Sequence, residues 1–287
     1  MSTVTPDAFK TSFLPTWCPG CGDFGIWGAL KNALAQLGIS PDGGMIVYGI
    51  GCHGNMYDWV NMYGVEGLHG RTLPVAQGAK LANHNLPVLV VSGDGDGLGE
   101  GGNHFMHAAK RNPNITVFLH DNQVYGLTTG QASPTAKSGF KTKSTPDGVT
   151  DEPVNPLMLA IATGATFVAR GFAGDIPGLT QLMSAAISHK GFAVLDILQP
   201  CVTFDKVHTY AWYRQRIYKL DPETYAPTDR LKAMEKAMEW GDKIPIGIFY
   251  KEEKPTSEDR EPALEQGPLV SQKLELEHLD ELLNEFV

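Results

Sequence analysis

Long apolar runs, clustered positive charge and internal repeats are all missing from this 287-residue chain. Its longest apolar stretches, such as Leu86 to Val91, fall far short of the roughly 20 residues that a membrane-spanning helix requires. Lys and Arg total 23 against 32 Asp and Glu, for a formal charge of −9, and they form no basic run. This balance argues against a nucleic acid or an anionic membrane as partner, because both require clustered positive charge.

Cysteine is also scarce, with four residues in the whole chain. A protein of this length buries about three quarters of its unfolded surface, so it needs neither disulfides nor a metal merely to fold. The N-terminus has no apolar segment of the signal-peptide type, which predicts a cytoplasmic protein. Cysteines in a reducing compartment more often bind metal or do chemistry, so all four are candidate functional residues.

Short apolar runs alternate with helical patterns through the first two thirds of the chain. The runs typical of buried parallel strands are Met45–Ile50, Val88–Ser92, Ile115–His120, Thr166–Ala169 and Phe192–Leu198. The helical patterns are Phe24–Leu37, Val75–Asn83, Asn103–Arg111, Pro156–Thr163 and Pro177–His189. This alternation predicts a doubly wound, mainly parallel α/β sheet that binds ligands at the carboxyl ends of its strands. We expect residues 1–204 to form this domain and residues 205–287 to form a C-terminal helical or irregular extension that packs on the domain or on a partner subunit.

The four cysteines occupy three separate parts of the sequence. Cys18 and Cys21 form a CxxC pair, Cys52 directly follows the first predicted strand, and Cys201 directly follows the last. Because parallel strands end at one edge of a sheet, Cys52 and Cys201 are expected to share that edge, and the CxxC loop is able to reach it. Four thiolates select Zn²⁺ or an iron–sulfur cluster. The spacing leaves both open, together with a redox-active dithiol beside two buried cysteines.

A glycine-rich, acidic turn follows the second predicted strand and carries Asp94 and Asp96. It fits the GxGxxG pattern of dinucleotide-binding folds, but two carboxylates repel a bare pyrophosphate unless a divalent cation lies between them. Mg²⁺ binds one or two carboxylates together with phosphate oxygens, so the turn predicts a metal–diphosphate site. Asn122 and the Val124 carbonyl follow the next strand and are expected to reach the same cation.

A GDG turn followed about thirty residues later by an asparagine is the thiamine diphosphate signature. Together with CPGCG, GIGCHGN, LHGRTLP, HDNQVYGLTTGQASPT and QPC, in this order between about Phe13 and Phe204, it resembles the β subunit of a 2-oxoacid:ferredoxin oxidoreductase. The resemblance implies oxidative decarboxylation of a 2-oxoacid to an acyl-CoA and CO2, with electrons passing through a [4Fe-4S] cluster to ferredoxin. It favours 2-oxoglutarate, with pyruvate as the alternative substrate, and it leaves the reverse, CO2-fixing direction open.

The resemblance also implies roles for individual residues. One [4Fe-4S] cluster would be held by Cys18, Cys21, Cys52 and Cys201, and the Mg²⁺ by Asp94, Asn122 and the Val124 carbonyl. Thiamine diphosphate would be lined by Gly51, Cys52, His53, His69, Gly93, Asp94, Gly95, Asp96, Asn122, Val124, Tyr125, Gly126 and Leu127. The candidates for substrate contact and catalysis are His69, Arg71 and Thr129.

A single strand–helix domain has no room for the pyrimidine-binding domain that thiamine enzymes use, so an α subunit is expected to supply it. An (αβ)2 assembly, with coenzyme A and ferredoxin as further partners, is the arrangement that the resemblance implies. One rival is a non-oxidative thiamine-dependent decarboxylase subunit, which has no need of four converging thiols. The other is a zinc-stapled binding subunit without catalysis, which has no need of Asp94 and Asn122.

Overall fold

The computed structural model describes residues 4–221, 223–273 and 279–286. Its strands are β1 (Met45–Tyr48), β2 (Tyr63–Glu66), β3 (Val88–Gly93), β4 (Ile115–Asp121), β5 (Val124–Tyr125), β6 (Gln131–Ala132), β7 (Phe167–Phe172), β8 (Ala193–Leu198), β9 (Ile217–Lys219) and β10 (Ile244–Lys251). Its helices are α1 (Asp23–Gln36), α2 (Thr72–Ala82), α3 (Gly102–Arg111), α4 (Pro156–Thr163), α5 (Ile176–Ser188), α6 (Tyr210–Arg214), α7 (Arg230–Ala237) and α8 (Leu279–Asn284). None of the helices in these described ranges has the length and apolarity needed to cross a bilayer.

One sheet of eight strands forms the centre of the fold, in the order β2-β1-β3-β4-β8-β7-β10-β9. All neighbouring strands from β2 to β7 pair in parallel, whereas β10 runs antiparallel to β7. Strands β3, β4, β7 and β8 are buried along their whole length. Their largely apolar sequences reflect helices on both faces, because a parallel sheet is covered on each side. The predicted doubly wound α/β fold is therefore confirmed.

The two faces of the sheet have separate cores. Helices α1 and α5 pack against each other on one face, around residues such as Leu30 and Met183. Helices α2, α3, α4 and α7 cover the other face, around residues such as Phe105 and Leu157. Side chains alternate between the faces along β4, so His120 points to the first face and Asp121 to the second. This alternation separates two groups of polar residues at the end of β4.

The region after residue 204 differs from the expected helical or irregular extension. Strands β9 and β10 extend the main sheet beyond β7, and α7 buries Ala233 and Ala237 in the second core. Strand β10 was not predicted from its sequence, IPIGIFYK, because Pro245 and Gly247 interrupt the pattern of a strand. Gly247 has φ +132° and precedes a register shift in the pairing with β7, so the glycine marks an irregular strand rather than a loop. Within this region, residues 222, 274–278 and 287 lie outside the described ranges.

Candidate active site

The carboxyl ends of β1, β3 and β4 surround a narrow cavity that encloses about 40 Å³. The structure brings every residue that the sequence suggested for the coenzyme to this one cavity. They come from the turn after β1 (51–53), the turn after β3 (93–96), the segment after β4 (122 and 124–127) and His69. Ile50 and Thr128 complete the lining. The parallel strands bring these distant segments together because all three end at the same edge of the sheet.

Two glycines let the backbone of the β3 turn pack against aromatic rings. A Cβ atom on Gly93 would lie 2.7 Å from Cε1 of His53, and one on Gly95 would lie 2.4 Å from Cε1 of Tyr125. Such distances do not occur for real Cβ atoms, so neither position accepts a side chain without movement of its neighbours. The glycines of the GDGD turn are therefore required by packing at the cavity wall.

Asp94 is a buried carboxylate in the cavity wall, with only 2% of the residue exposed. Its Oδ2 accepts hydrogen bonds from the Gln123 backbone N–H at 3.0 Å, from Ser133 Oγ at 2.5 Å and from Thr135 Oγ1 at 2.5 Å. Burial raises the pKa of Asp94, while the two hydroxyl groups act in the opposite direction. None of the three bonds uses Oδ1, so one carboxylate oxygen is left for a cation in the cavity.

Asn122 and Val124 supply the other oxygens of the predicted cation site. Asn122 Oδ1 accepts a hydrogen bond from the Val124 N–H at 3.0 Å, which fixes the short turn between β4 and β5. Both residues line the coenzyme cavity, whereas Asp121 and Gln123 line a second cavity of about 530 Å³. A carboxylate, an amide oxygen and a carbonyl oxygen fit a hard cation such as Mg²⁺. In the described ranges, no three His, Cys, Asp or Glu side chains form a group that could hold a metal ion. The oxygen set at Asp94 differs from such a group because it contains one carboxylate, one amide oxygen and one backbone carbonyl.

Asp96 ties three loops together and is buried to the same degree as Asp94. Its Oδ1 accepts hydrogen bonds from the backbone N–H groups of Gly70 at 2.7 Å and Ile50 at 3.3 Å. Its Oδ2 accepts a hydrogen bond from Ser92 Oγ at 2.5 Å. The second carboxylate of the GDGD turn is thus occupied by protein donors, and its main effect is to hold the cavity walls together.

His53 lies deep in the cavity wall as a neutral ring. Its Nε2 accepts a hydrogen bond from the Gly93 backbone N–H at 3.0 Å, which leaves the ring proton on Nδ1. Burial lowers the pKa of His53 to about 4, and the nearby Asp96 carboxylate opposes this shift. At neutral pH the coenzyme cavity therefore contains no positive charge from His53.

The three catalytic candidates occupy different positions. His69 lines the cavity, with Nδ1 3.0 Å from Asp96 Oδ1 and 3.5 Å from a Glu100 carboxylate oxygen, although its N–H does not point squarely at either oxygen. Arg71 lies outside the cavity lining, and its guanidinium group donates to the backbone carbonyls of His69 and Glu100 at 3.2 and 3.1 Å. Thr129 is exposed, also lies outside the lining, and has φ +78°. A positive φ is strained for a β-branched residue.

The four cysteines lie next to this cavity. The CxxC loop is bonded to the end of β8, since the Gly22 N–H donates to the Pro200 carbonyl at 3.1 Å and Gln199 Nε2 donates to Cys21 Sγ at 3.5 Å. Trp17 Nε1 donates to the Cys52 carbonyl at 2.6 Å. These bonds bring Cys18 and Cys21 to the edge of the sheet where Cys52 and Cys201 lie, a short distance beyond the ends of β1 and β8.

The thiol of Cys52 lies between the other cysteines and the coenzyme cavity. Burial raises the pKa of Cys52 to about 12, and the negative charges of Asp23, Cys201 and Cys18 act in the same direction. On its other side, Cys52 lines the coenzyme cavity, and a Cβ atom on Gly126 would lie 3.2 Å from its sulfur. All four cysteines are free thiols. The cysteine group and the coenzyme cavity are therefore in direct contact.

The hydroxyl groups that hold the carboxylates were not among the residues that the sequence pointed to. Ser133 and Thr135 follow the short strand β6, and Ser92 is an internal residue of β3. Glu100, near His69, accepts a hydrogen bond from the Tyr125 hydroxyl at about 3.3 Å. The segment GQASPT was part of the motif that carried the resemblance, and it was the signal in the sequence that the region around Ser133 and Thr135 belongs to the site.

Comparisons with known proteins agree with this geometry. Residues 49–197 match the family described as thiamine pyrophosphate enzyme, C-terminal TPP binding domain, and residues 201–266 match the family described as the C-terminal part of the pyruvate ferredoxin oxidoreductase beta subunit. The chain is 49% identical over 249 residues to a 2-oxoacid:ferredoxin oxidoreductase subunit beta of Saccharolobus solfataricus, which covers 83% of this chain and 82% of that protein.

Two further similarities extend over almost the whole chain. A 2-oxoacid:ferredoxin oxidoreductase 2, subunit beta, of Aeropyrum pernix is 44% identical over 286 residues, covering 94% of this chain and 92% of that one. Among solved structures, the 2-oxoglutarate:ferredoxin oxidoreductase from Magnetococcus marinus, with 2-oxoglutarate, coenzyme A and succinyl-CoA bound, superimposes with a TM-score of 0.92. It is 38% identical, and the match covers 98% of this chain and 97% of that one.

Proposed function

This chain belongs to the family of 2-oxoacid:ferredoxin oxidoreductase β subunits, a family of thiamine-dependent oxidoreductases, and we propose on that premise that its enzyme oxidises 2-oxoglutarate. In this proposal, coenzyme A accepts the succinyl group and ferredoxin accepts the electrons through a [4Fe-4S] cluster. The observation that carries the proposed electron route is the position of Cys52, which belongs both to the coenzyme cavity and to the group of four cysteines.

Thiamine diphosphate, when bound, supplies a positively charged ring that accepts the electrons released as CO2 leaves. The chain's own residues bind and orient the coenzyme. Asp94, Asn122 and the Val124 carbonyl are the proposed ligands of a Mg²⁺ that neutralises the diphosphate. The three hydrogen bonds to Asp94 Oδ2 fix the carboxylate so that the orientation of Oδ1 is set before the cation arrives.

His69 is the proposed acid–base residue of this subunit. Its Nδ1 faces the carboxylates of Asp96 and Glu100, and its ring lines the cavity. A carboxylate beside Nδ1 favours the proton on that nitrogen and leaves Nε2 free to accept or return a proton at the reacting centre. Arg71 and Thr129 remain candidates for substrate contact at the rim. Arg71 holds the His69 turn through two backbone carbonyls, so its first role is to position His69.

A [4Fe-4S] cluster, when bound, supplies one-electron chemistry beside the coenzyme. The four free thiols, all soft ligands, fit such a group. The proposed oxidoreductase needs a one-electron carrier beside the coenzyme, which a zinc ion, having no redox chemistry, would not supply.

The small size of the cavity supports a second, partner surface. The cavity encloses about 40 Å³, whereas a site that surrounds a whole small ligand usually measures about 300–1,000 Å³. Most of the coenzyme would then be covered by another protein surface. We propose that this surface belongs to an α subunit that carries the pyrimidine-binding domain, in an (αβ)2 assembly. The bound 2-oxoglutarate and coenzyme A named for the Magnetococcus marinus relative support the choice of substrate.

The test uses the αβ complex purified without air. Ferredoxin reduction that depends on coenzyme A and is much faster with 2-oxoglutarate than with pyruvate is the expected result. Equal or faster reduction with pyruvate would assign the alternative substrate. Decarboxylation without ferredoxin reduction would instead favour the non-oxidative decarboxylase. The reverse, CO2-fixing reaction is measured in the same complex with reduced ferredoxin and succinyl-CoA.

Two substitutions separate the two proposed sites. Asp94→Ala should abolish thiamine diphosphate binding and leave the iron content unchanged, because Asp94 lies on the cation side of the cavity. Cys52→Ala should reduce the iron content and abolish ferredoxin reduction. The matched control is Asp42→Ala, an exposed carboxylate on the loop before β1 that should behave like the wild type. Normal coenzyme binding by Asp94→Ala would show that the cation lies elsewhere.

A further inference from the structure

A row of buried polar side chains connects Cys21 with the wall of the coenzyme cavity. Cys21 Sγ donates to Asp23 Oδ2 at 3.4 Å, and Asp23 Oδ1 lies 2.7 Å from His120 Nδ1. The ring of His120 faces that of His53, with centroids 5.7 Å apart, and His53 lines the cavity. None of the four residues is more than 8% exposed. The proposed mechanism gives Asp23 and His120 no task.

Asp23 is the central member of this row, and its environment fixes it in place. It is the first residue of α1 and is completely buried, so its carboxylate lies at the positive end of the helix. His120 comes from β4, in the centre of the sheet, and holds the carboxylate from the other side. A buried carboxylate is costly unless it is hydrogen-bonded, and the Cys21 thiol and His120 Nδ1 lie within hydrogen-bonding distance of its two oxygens. The carboxylate is thus a fixed negative group beside Cys21.

The sulfur of Cys21 has a second polar neighbour, a hydrogen-bond donor. Gln199 Nε2 donates to Cys21 Sγ at 3.5 Å, and Gln199 is 2% exposed. A negative charge near an iron–sulfur cluster disfavours the added electron, whereas a hydrogen bond donated to a ligand sulfur favours it. Asp23 and Gln199 therefore act on the same sulfur in opposite directions. Both groups are shielded from water, so their effects are only weakly screened.

We propose that Asp23, held by His120, is a positioning residue that lowers the reduction potential of the cluster at Cys21, and that Gln199 raises it. This inference rests on the proposed function, because it requires a cluster bound by the four cysteines. A low potential matters for the reaction, since the cluster must pass its electron on to ferredoxin rather than retain it.

The experiment is a redox titration of the αβ complex, followed by the EPR signal of the reduced cluster. Asp23→Asn removes the charge and preserves the size of the side chain, and the midpoint potential should shift to a more positive value. Gln199→Leu removes the donor, and the midpoint should shift to a more negative value. The matched control, Asp42→Asn, changes the net charge of the chain by the same amount at an exposed site and should leave the midpoint unchanged.

The outcomes distinguish this inference from the proposed function. A wild-type complex without iron overturns both. If the wild-type complex has a normal cluster and Asp23→Asn has the same midpoint potential as Asp42→Asn, the role of Asp23 is overturned. The proposed function is then unaffected. If Asp23→Asn does not assemble a cluster, Asp23→Ser also removes the charge, and its midpoint must shift in the same positive direction. A positive shift in Gln199→Leu contradicts the opposing effect of the two residues.

Discussion

Replacing Thr135 with valine tests how the carboxylate of the cation site is held. Thr135 Oγ1 lies 2.5 Å from Asp94 Oδ2 and 2.9 Å from Asp121 Oδ1. Thr135 Oγ1 donates to both carboxyl groups, so its single hydroxyl proton is shared between them. Burial raises the pKa of Asp121 well above its ordinary value, and the charges of Asp196 and Asp94 act in the same direction. Thr135 therefore links the carboxylate of the cation site to a second buried carboxyl group.

Valine has the shape of threonine but neither donates nor accepts, so both bonds are lost in Thr135→Val. A hydrogen bond to a charged group contributes about 1.5–3 kcal/mol, and one between neutral groups about 1 kcal/mol. We expect the free energy of unfolding to fall by about 3 kcal/mol. The loss of a group that orients a metal ligand typically weakens metal binding about 10–100-fold, so Mg²⁺-dependent thiamine diphosphate binding should weaken by a similar factor.

Thermal unfolding and a coenzyme titration of the αβ complex measure these two effects. The control is Thr150→Val, the same substitution at an exposed residue outside the lining of the coenzyme cavity. Its stability should stay within about 0.5 kcal/mol of the wild type. Thr135→Ser keeps a hydroxyl group and should recover most of the loss. A Thr135→Val protein as stable as Thr150→Val would refute the chain of three groups.

Three further outcomes follow from other positions. Burial lowers the pKa of His189 to about 4. Between about pH 6.5 and 4 the unfolded chain therefore takes up a proton that the folded chain does not. The free energy of unfolding should fall as the pH falls through this window. His189→Gln should remove that part of the decline, and urea unfolding at several pH values compares the two proteins. Gly95→Ala should cost about 1–3 kcal/mol at the cavity wall, because its Cβ would lie 2.4 Å from Tyr125, and should weaken the binding of thiamine diphosphate in a titration. Gly102→Ala, with open space around its Cβ, is the control, and equal affinities would count against the close packing. Thr129→Gly should relieve about 1–2 kcal/mol of strain from the left-handed backbone, while the greater entropy of the unfolded chain should cost about 0.5–1 kcal/mol. Calorimetry should therefore show a slightly more stable protein. A clearly less stable protein would contradict the strain argument.

The sequence was sufficient for the parts of the site that follow strand ends. Cys52, Asp94 and Asn122 each come directly after an apolar strand, and parallel strands bring such positions to one edge. The fully buried strands β3, β4, β7 and β8 were recognisable because each contains a short run of mostly apolar residues. The boundaries of the predicted elements differ from the observed ones by at most three residues.

Other features were hidden because no periodic pattern encodes them. The hydroxyl groups of Ser133 and Thr135 reach Asp94 from a segment without regular structure, and a serine or threonine in a loop looks the same whether or not it meets a carboxylate. Strand β10 was missed because its apolar run contains a proline and a glycine. The contact of Asp23 with His120 joins residues far apart in the chain and depends on how α1 lies against the sheet.

The way the cysteine group is built also constrains the order of events during biosynthesis. Cys18, Cys21 and Cys52 leave the ribosome early, but the partner of the CxxC loop is the Pro200 carbonyl, which follows β8. The fourth thiol reaches the others only after β8 has joined β4 in the middle of the sheet. A nascent chain that ends before β8 therefore lacks both the Pro200 contact of the CxxC loop and the fourth thiol. Insertion of the proposed cluster would accordingly follow the folding of this subunit, in contrast to small zinc domains, where metal binding drives folding.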